Sequence, residues 1–260
     1  SFPTRRSSDL TRLIAAAIGL VHVVSPLNVV LTAISVLVGG LASYAALDIP
    51  IMIAAVSASL IAAGGYVVND IFDVEIDRIN RPDRPLPRGD ITTQAAKLWY
   101  VILTLTGLIP PFFLLPTPNR IIALAAVIAL FAYAAWLKRT PLVGNLVVAM
   151  VSGVVFVYGG VIGAAPIISL VPGLLAFAYH LGREILKAAA DRLGDEATGA
   201  VTVAVLWGER TAMRLAVLPL IAVILVSPLP TWFGWFGERY LIAVIVGINV
   251  VLAYVIRQAW

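Results

Sequence analysis

The sequence predicts an all-α protein, a polytopic transmembrane helical bundle, and three observations predict it. The first is composition: of 260 residues, 61% are hydrophobic and only 12% charged, with a mean hydropathy of +0.99, far above the soluble range. The second is segment length: apolar runs of about 20 residues, enough to cross a bilayer as a helix, recur along the whole chain. The third is the placement of charge. Of 18 Lys and Arg residues, all but Arg120 and Arg239 fall on the side of the runs that carries the N-terminus. That bias marks this side as cytoplasmic and the protein as a multi-pass component of the cell membrane. The absence of cysteine excludes disulfides, thiolate metal sites and cysteine nucleophiles. No nucleic-acid partner is expected of so apolar a chain.

Taken in order, residues 1–12 are expected to be a disordered lead-in, and 13–260 a single transmembrane domain. An apolar segment over 13–24 ends at Ser25-Pro26, where the proline predicts a kink or a break between an interfacial helix and the first span. Eight spans are predicted. The first runs over 27–46 and turns at Asp48-Ile49-Pro50, and the second starts at 51 and runs into the polar stretch that opens at Asn69. Next comes RINRPDRPLPRGD, whose Pro82, Pro85 and Pro87 predict an extended loop. Thr92 or Thr93 then caps a third span reaching 115. The fourth covers 120–137, and Lys138-Arg139-Thr140-Pro141 closes it. A fifth, over 142–162, is rich in glycine and other small residues that let helices approach closely in lipid. The sixth covers 167–186 and ends in a second polar stretch, REILKAAADRLGDEATGA. The seventh covers 212–226; Trp232 and Trp235 then suit the membrane interface, and the eighth covers 240–256.

The first polar stretch, NDIFDVEIDRINRPDRPLPRGD, concentrates acids and arginines in a chain otherwise poor in charge. Asn69, Asp73 and Asp77 recur every fourth residue and share a helical face, with Asp70 beside them. Like charges at that spacing destabilise a helix unless a cation neutralises them. The simplest such cation is a hard divalent metal, Mg2+, which takes oxygen ligands and would itself carry a phosphate-bearing substrate. In the second stretch Arg183, Lys187, Asp191 and Asp195 fall on one face. If the second and sixth spans face each other, two carboxylate clusters meet above a common cavity and hold metal ions that bridge a diphosphate. Arg81, Arg84, Lys138 and Lys187 are the groups expected to bind the remaining phosphate oxygens. Two other readings stand beside this one: single arginines as topology or headgroup contacts, and the whole chain as a secondary transporter. Transporter acids, however, lie near the midplane on broken helices, not at helix ends.

Three motifs carry a family resemblance. N-D-x-x-D-x-x-x-D at 69–77, R-P-L-P-R-G at 84–89 and D-x-x-x-D at 191–195 resemble the UbiA superfamily of intramembrane prenyltransferases, in motif order over nearly the whole chain. Within it, EIDRINRPDRPLPRG and REILK most resemble the branch serving archaeal ether-lipid synthesis; chlorophyll synthases share part of the pattern. The resemblance implies nine transmembrane helices around a central cavity with a cytoplasmic cap. It implies that Asn69, Asp73, Asp191 and Asp195 bind Mg2+ and the prenyl diphosphate, with Asp70 and Asp77 close by and Lys138 at the diphosphate. Asp73, Asp191, Asp195 and Lys138 are then the catalytic residues.

The implied reaction is Mg-dependent transfer of a prenyl group from an allylic, geranylgeranyl-type diphosphate to a lipophilic acceptor within the membrane. For this branch the acceptor is geranylgeranylglyceryl phosphate; an aromatic quinone or chlorophyll-type acceptor is the alternative. Prenyl diphosphate, acceptor and membrane lipid are the expected partners. The sequence departs from the family pattern twice. Where close relatives read K-D-x-E-D, this chain has Lys187-Ala188-Ala189-Ala190-Asp191, which implies weaker metal holding there. With eight spans read here, a ninth helix is expected to be absent or to lie past Trp260.

Overall fold

Apolar runs fold as helices in lipid because only an intrachain ladder satisfies every backbone group there. The computed structural model describes residues 5–197 and 199–259, and among them it holds helices and turns with no strand. The chain divides into two compact units. One comprises the described residues of Ser1–Leu37 with Leu47–Ala135, the other Val38–Ala46 with the described residues of Trp136–Trp260.

In the first unit, α1 (Arg5–His22) extends over residues 5–12 of the expected lead-in. The predicted break follows it: Ser25 has φ 55°, and 14–22 is bent 42° from α2 (Pro26–Ala42). The helix α3 (Ile49–Asn80) carries Pro50 in its first turn, where the missing N–H costs nothing, and continues for 32 residues through the acidic motif. Next come α4 (Pro85–Arg88), α5 (Thr93–Phe113) and α6 (Thr117–Ala135). Of the two capping candidates, Thr92 is the one that caps α5, its hydroxyl accepting the Ala95 N–H at 3.1 Å. Where α3 meets α5 the backbones nearly touch: Ser57 Oγ donates to the Gly107 carbonyl at 2.7 Å, and a Cβ on Gly107 would lie 2.9 Å from Ile61 Cγ1. With lipid outside, such close packing supplies the attraction that water exclusion supplies elsewhere.

The second unit opens with a short turn, Leu137–Arg139, followed by α7 (Val143–Gly160) and α8 (Leu170–Ala190). These two cross at Gly153 and Gly173, where a Cβ on Gly153 would stand 2.5 Å from the Gly173 carbonyl oxygen. Two short helices, α9 (Arg192–Ala197) and α10 (Val203–Trp207), lead into α11 (Glu209–Val226). Ile185, Ala189, Val203, Ala204, Ala212 and Ala216 form a buried core tying α8, α10 and α11 together. Then come α12 (Leu229–Trp232), α13 (Glu238–Val244), a π-helical turn (Ile245–Asn249) and α14 (Val250–Ala259). The Asn249 amide donates to the Ile224 carbonyl at 3.3 Å and its oxygen accepts from Ser227 Oγ at 3.1 Å, so the π turn is bonded to α11.

Large apolar side chains face outward, among them Leu27, Phe113 and Leu225, as they must where the solvent is hydrocarbon. Six helices among the described residues are long and apolar enough to cross a membrane, or seven if the bent pair before Ala42 is one span. The predicted sixth span, α8, is 21 residues long but carries Arg183, Glu184 and Lys187 in its last turns, and it is not among them. Trp232 and Trp235 are exposed beside the α11–α13 turn.

Candidate active site

The sequence-predicted site residues fall into two groups. Asn69, Asp70, Asp73, Asp77, Arg81 and Arg84 belong to the first unit, and Lys138, Lys187, Asp191 and Asp195 to the second.

In the first group, the uninterrupted α3 sets the spacing. Asn69 donates its amide to the Asp73 carboxylate one turn on, at 2.9 Å. Asp70 and Asp77, two turns apart, point the same way, and one nitrogen of Arg84 reaches both: Nη1 lies 2.9 Å from Asp70 Oδ1 and 2.7 Å from Asp77 Oδ2. Asp77 is the more buried of the pair, with 9% of its side chain exposed. The repulsion that predicted a metal is thus relieved at two of the acids by a guanidinium of the same chain. Arg84, expected at the diphosphate, is engaged with carboxylates. Arg78 pairs with Glu75 at 2.8 Å, Arg88 with Asp90, and Arg81 is exposed just past the end of α3.

What aims Arg84 is the segment predicted to be an extended loop. It holds one turn of helix, α4, because Pro85 and Pro87 fall in the first turn, where proline's missing N–H and fixed φ are no hindrance. Arg84 is the residue before that helix, with extended backbone, and accepts the Arg88 N–H at 2.9 Å. Gly89 closes the turn at φ 82°, and Asp90 N–H bonds back to Pro85 O at 3.0 Å.

Leu86 and Ile91 are then buried with Val23, Ala63, Val67, Ala96 and Leu103. From the other side α1 packs on the turn at Gly19, where a Cβ would come 3.0 Å from Ile91 Cγ2. Trp99 fastens α1 there, donating its indole N–H to the Leu20 carbonyl at 3.2 Å. None of these seats was foreseen from the sequence. The one available signal was Leu86, an apolar residue between two prolines in an otherwise polar stretch.

In the second group, α8 ends at Ala190 and Asp191 is its C-cap, so the expected single face is interrupted there. The four-residue register nevertheless survives: Asp191 N–H bonds to Lys187 O at 2.9 Å, and Asp195 N–H to Asp191 O at 3.0 Å. Arg183, expected on that face, pairs with the buried Glu184. Burial pushes the Asp195 carboxyl above the ordinary carboxylate range; Thr202 and Lys187 pull against that, and Asp191 adds to it. The turn bearing Lys138 is brought to this region by a backbone bond, Val201 N–H to Arg139 O at 3.3 Å. It lies flat on α7 because Gly144 has no Cβ; one would sit 2.7 Å from the Leu137 carbonyl oxygen.

No three His, Cys, Asp or Glu side chains among the described residues are gathered closely enough to hold a metal by themselves. The donors present are nonetheless all oxygen, and Asn69 with Asp73 is a hard-ligand pair one helical turn apart. That set fits Mg2+, which is commonly held by one or two carboxylates and completes its shell with water and substrate phosphate.

Fold and site define a polytopic helical membrane protein with acidic and basic clusters at the ends of its helices. Residues 29–260 match the model of the UbiA prenyltransferase family, and the chain belongs to that family. It is 36% identical over 230 residues to the digeranylgeranylglyceryl phosphate synthase of Methanopyrus kandleri, covering 87% of this chain and 83% of that one. A solved structure from work on digeranylgeranylglyceryl phosphate synthase in membranes is similar with a TM-score of 0.78 and 30% identity, over 94% of this chain and 87% of that one. A UbiA homolog from Archaeoglobus fulgidus bound to GPP and Mg2+ shares the fold, with a TM-score of 0.67 and 17% identity over 93% of this chain and 88% of that one.

Proposed function

We propose that this prenyltransferase joins a geranylgeranyl group to geranylgeranylglyceryl phosphate through an ether bond, at the cytoplasmic rim of the membrane. The acceptor follows the digeranylgeranylglyceryl phosphate synthase relative from Methanopyrus kandleri. The cytoplasmic placement follows the distribution of Lys and Arg. The observation that carries the reading is the Asn69–Asp73 pair, one helical turn apart at the polar end of a 32-residue helix. A polar helix end of this kind next to apolar helix supports a ligand with a phosphate head and an isoprenoid tail.

In this reading Asn69, Asp73, Asp191 and Asp195 hold Mg2+, which when bound neutralises charge on the diphosphate oxygens. Arg81, Lys138 and Lys187 take the remaining phosphate oxygens, and their positive charge favours departure of the diphosphate. The allylic C–O bond breaks with cation character at carbon, and the acceptor hydroxyl oxygen forms the new C–O bond. Its proton leaves with the diphosphate. The apolar helices keep water from capturing the cation.

The test is release of diphosphate from geranylgeranyl diphosphate by the reconstituted protein, with and without Mg2+, with each candidate acceptor and product mass as the readout. Asp73→Ala and Asp191→Ala are each expected to lower turnover by about a hundredfold or more with the fold intact, a loss typical of removing one stabiliser of developing charge. Near-wild-type turnover in either variant would remove that residue from the site. Product only from an aromatic acceptor would replace the acceptor, and ion flux without diphosphate release would favour transport.

A further inference from the structure

The acid-rich end of α3 looked, by sequence, like one ligand set. In the structure two pairings form within it. Asp70 and Asp77 converge on a single guanidinium nitrogen of Arg84, at 2.9 and 2.7 Å. Asn69 and Asp73 are joined to each other through a neutral amide. Arg84 is not a surface arginine that happens to fall near acids. Its backbone begins α4, the next two residues, Pro85 and Leu86, are buried, and its own side chain is only 31% exposed. The position of Nη1 between two carboxylates two helical turns apart is where a small cation would sit.

We propose that Arg84 is a built-in counter-ion and a positioning residue rather than a diphosphate ligand. It occupies Asp70 and Asp77, so that divalent cation and diphosphate load on Asn69 and Asp73. This rests on the prenyl-transfer reading for what is loaded, but the pairing itself does not. Two physical consequences follow. A guanidinium shared by two carboxylates has its single positive charge more than offset and attracts a diphosphate only weakly. Removing it leaves two acids facing one another, and such a pair recruits another cation or a proton.

The test uses the full chain in lipid nanodiscs and the variants Arg84→Met, Arg84→Lys and the triple variant Arg84→Met, Asp70→Asn, Asp77→Asn. Mn2+ binding, read by loss of the free-ion EPR signal without substrate, is the first measurement. Arg84→Met is expected to bind one Mn2+ more than the wild type, and the triple variant is expected to lose it. Arg84→Lys, whose ammonium can stand near Nη1, is expected to match the wild type and shows that the position tolerates substitution without unfolding.

Kinetics is the second measurement. Arg84→Met is expected to lower kcat about tenfold with the donor KM within about twofold, and the triple variant to recover most of kcat. An unchanged Mn2+ count in Arg84→Met overturns the proposal. So does a donor KM that rises tenfold in Arg84→Met and the triple variant alike, which is the mark of a lost diphosphate ligand. Should the wild type release no diphosphate with any acceptor, the prenyl-transfer reading fails, and the Mn2+ count still decides the role of Arg84.

Discussion

Leu86→Ala tests whether the site depends on a hydrophobic seat that carries no charge itself. Leu86 is 6% exposed and packs among Val23, Ala63, Val67, Ile91, Ala96 and Leu103. Deleting buried methylenes from such a place costs about 2–5 kcal/mol, depending on how far the surroundings collapse. α4 is only four residues long, so the low end applies, about 2 kcal/mol. The loss also stays local, because α3 and α5 are held by their own ladders and by each other. A 2 kcal/mol loss multiplies the local opening equilibrium by roughly thirty.

The reporters are the amides of Arg88, Gly89 and Asp90, bonded to Arg84 O, Leu86 O and Pro85 O at 2.9, 3.1 and 3.0 Å. Hydrogen exchange in nanodiscs is expected to accelerate at 88–90 by that factor, while amides in the middle of α3 are unchanged. Diphosphate release falls by no more than the about tenfold expected of Arg84→Met, since loosening Arg84 cannot cost more than removing it. Unaltered exchange at 88–90 would refute the seat. Acceleration spread evenly through α3 and α5 would refute its being local.

Two further outcomes follow from the second unit. Gly153→Leu places a side chain where even a Cβ stands 2.5 Å from the Gly173 carbonyl, so α7 and α8 must separate; a loss of about 1–3 kcal/mol or more and a lower Tm in detergent are expected. The Asp195 carboxyl titrates above its ordinary range, so in metal-free protein its ionisation opposes folding. That penalty is absent below the unfolded pKa and grows as pH rises through the window between the unfolded and folded values. Asp195→Asn is therefore expected to raise the Tm of EDTA-treated protein at neutral pH and leave it unchanged in acid, while abolishing turnover; equal shifts at both pH values would remove the burial argument.

The predictable parts of the fold were those that depend on one chain segment. A run such as 51–68 is apolar throughout and can only be a helix in lipid, and Thr92 announces the start of α5 by its side chain alone. The Arg78–Glu75 pair follows from i,i+3 spacing. Elsewhere a local rule has a second solution. Pro85 and Pro87 would break a helix interior, yet both sit in a first turn where proline is harmless. Choosing Arg84 from the four arginines of 78–88 needs the path of the chain after α3, and that path is set by Leu86 and Ile91 packing against α1 some seventy residues earlier, as Gly19 against Ile91 shows. No periodicity reports such a contact.

The two clusters solve the same electrostatic problem by different means. At the end of α3 the acids are numerous, and part of their charge is cancelled within the chain by Arg84. After α8 the acids are few, since alanines stand at 188 and 190, and burial raises the pKa of Asp195. An acid held above its ordinary pKa binds a cation only by losing a proton it retains more readily than usual, so any metal affinity of that carboxylate would rise with pH. A diphosphate changes that balance, because it brings its own oxygens to a metal that the second cluster alone would hold poorly. The weaker metal holding implied by the missing acids is then compatible with the proposed prenyl transfer, provided metal and diphosphate arrive together.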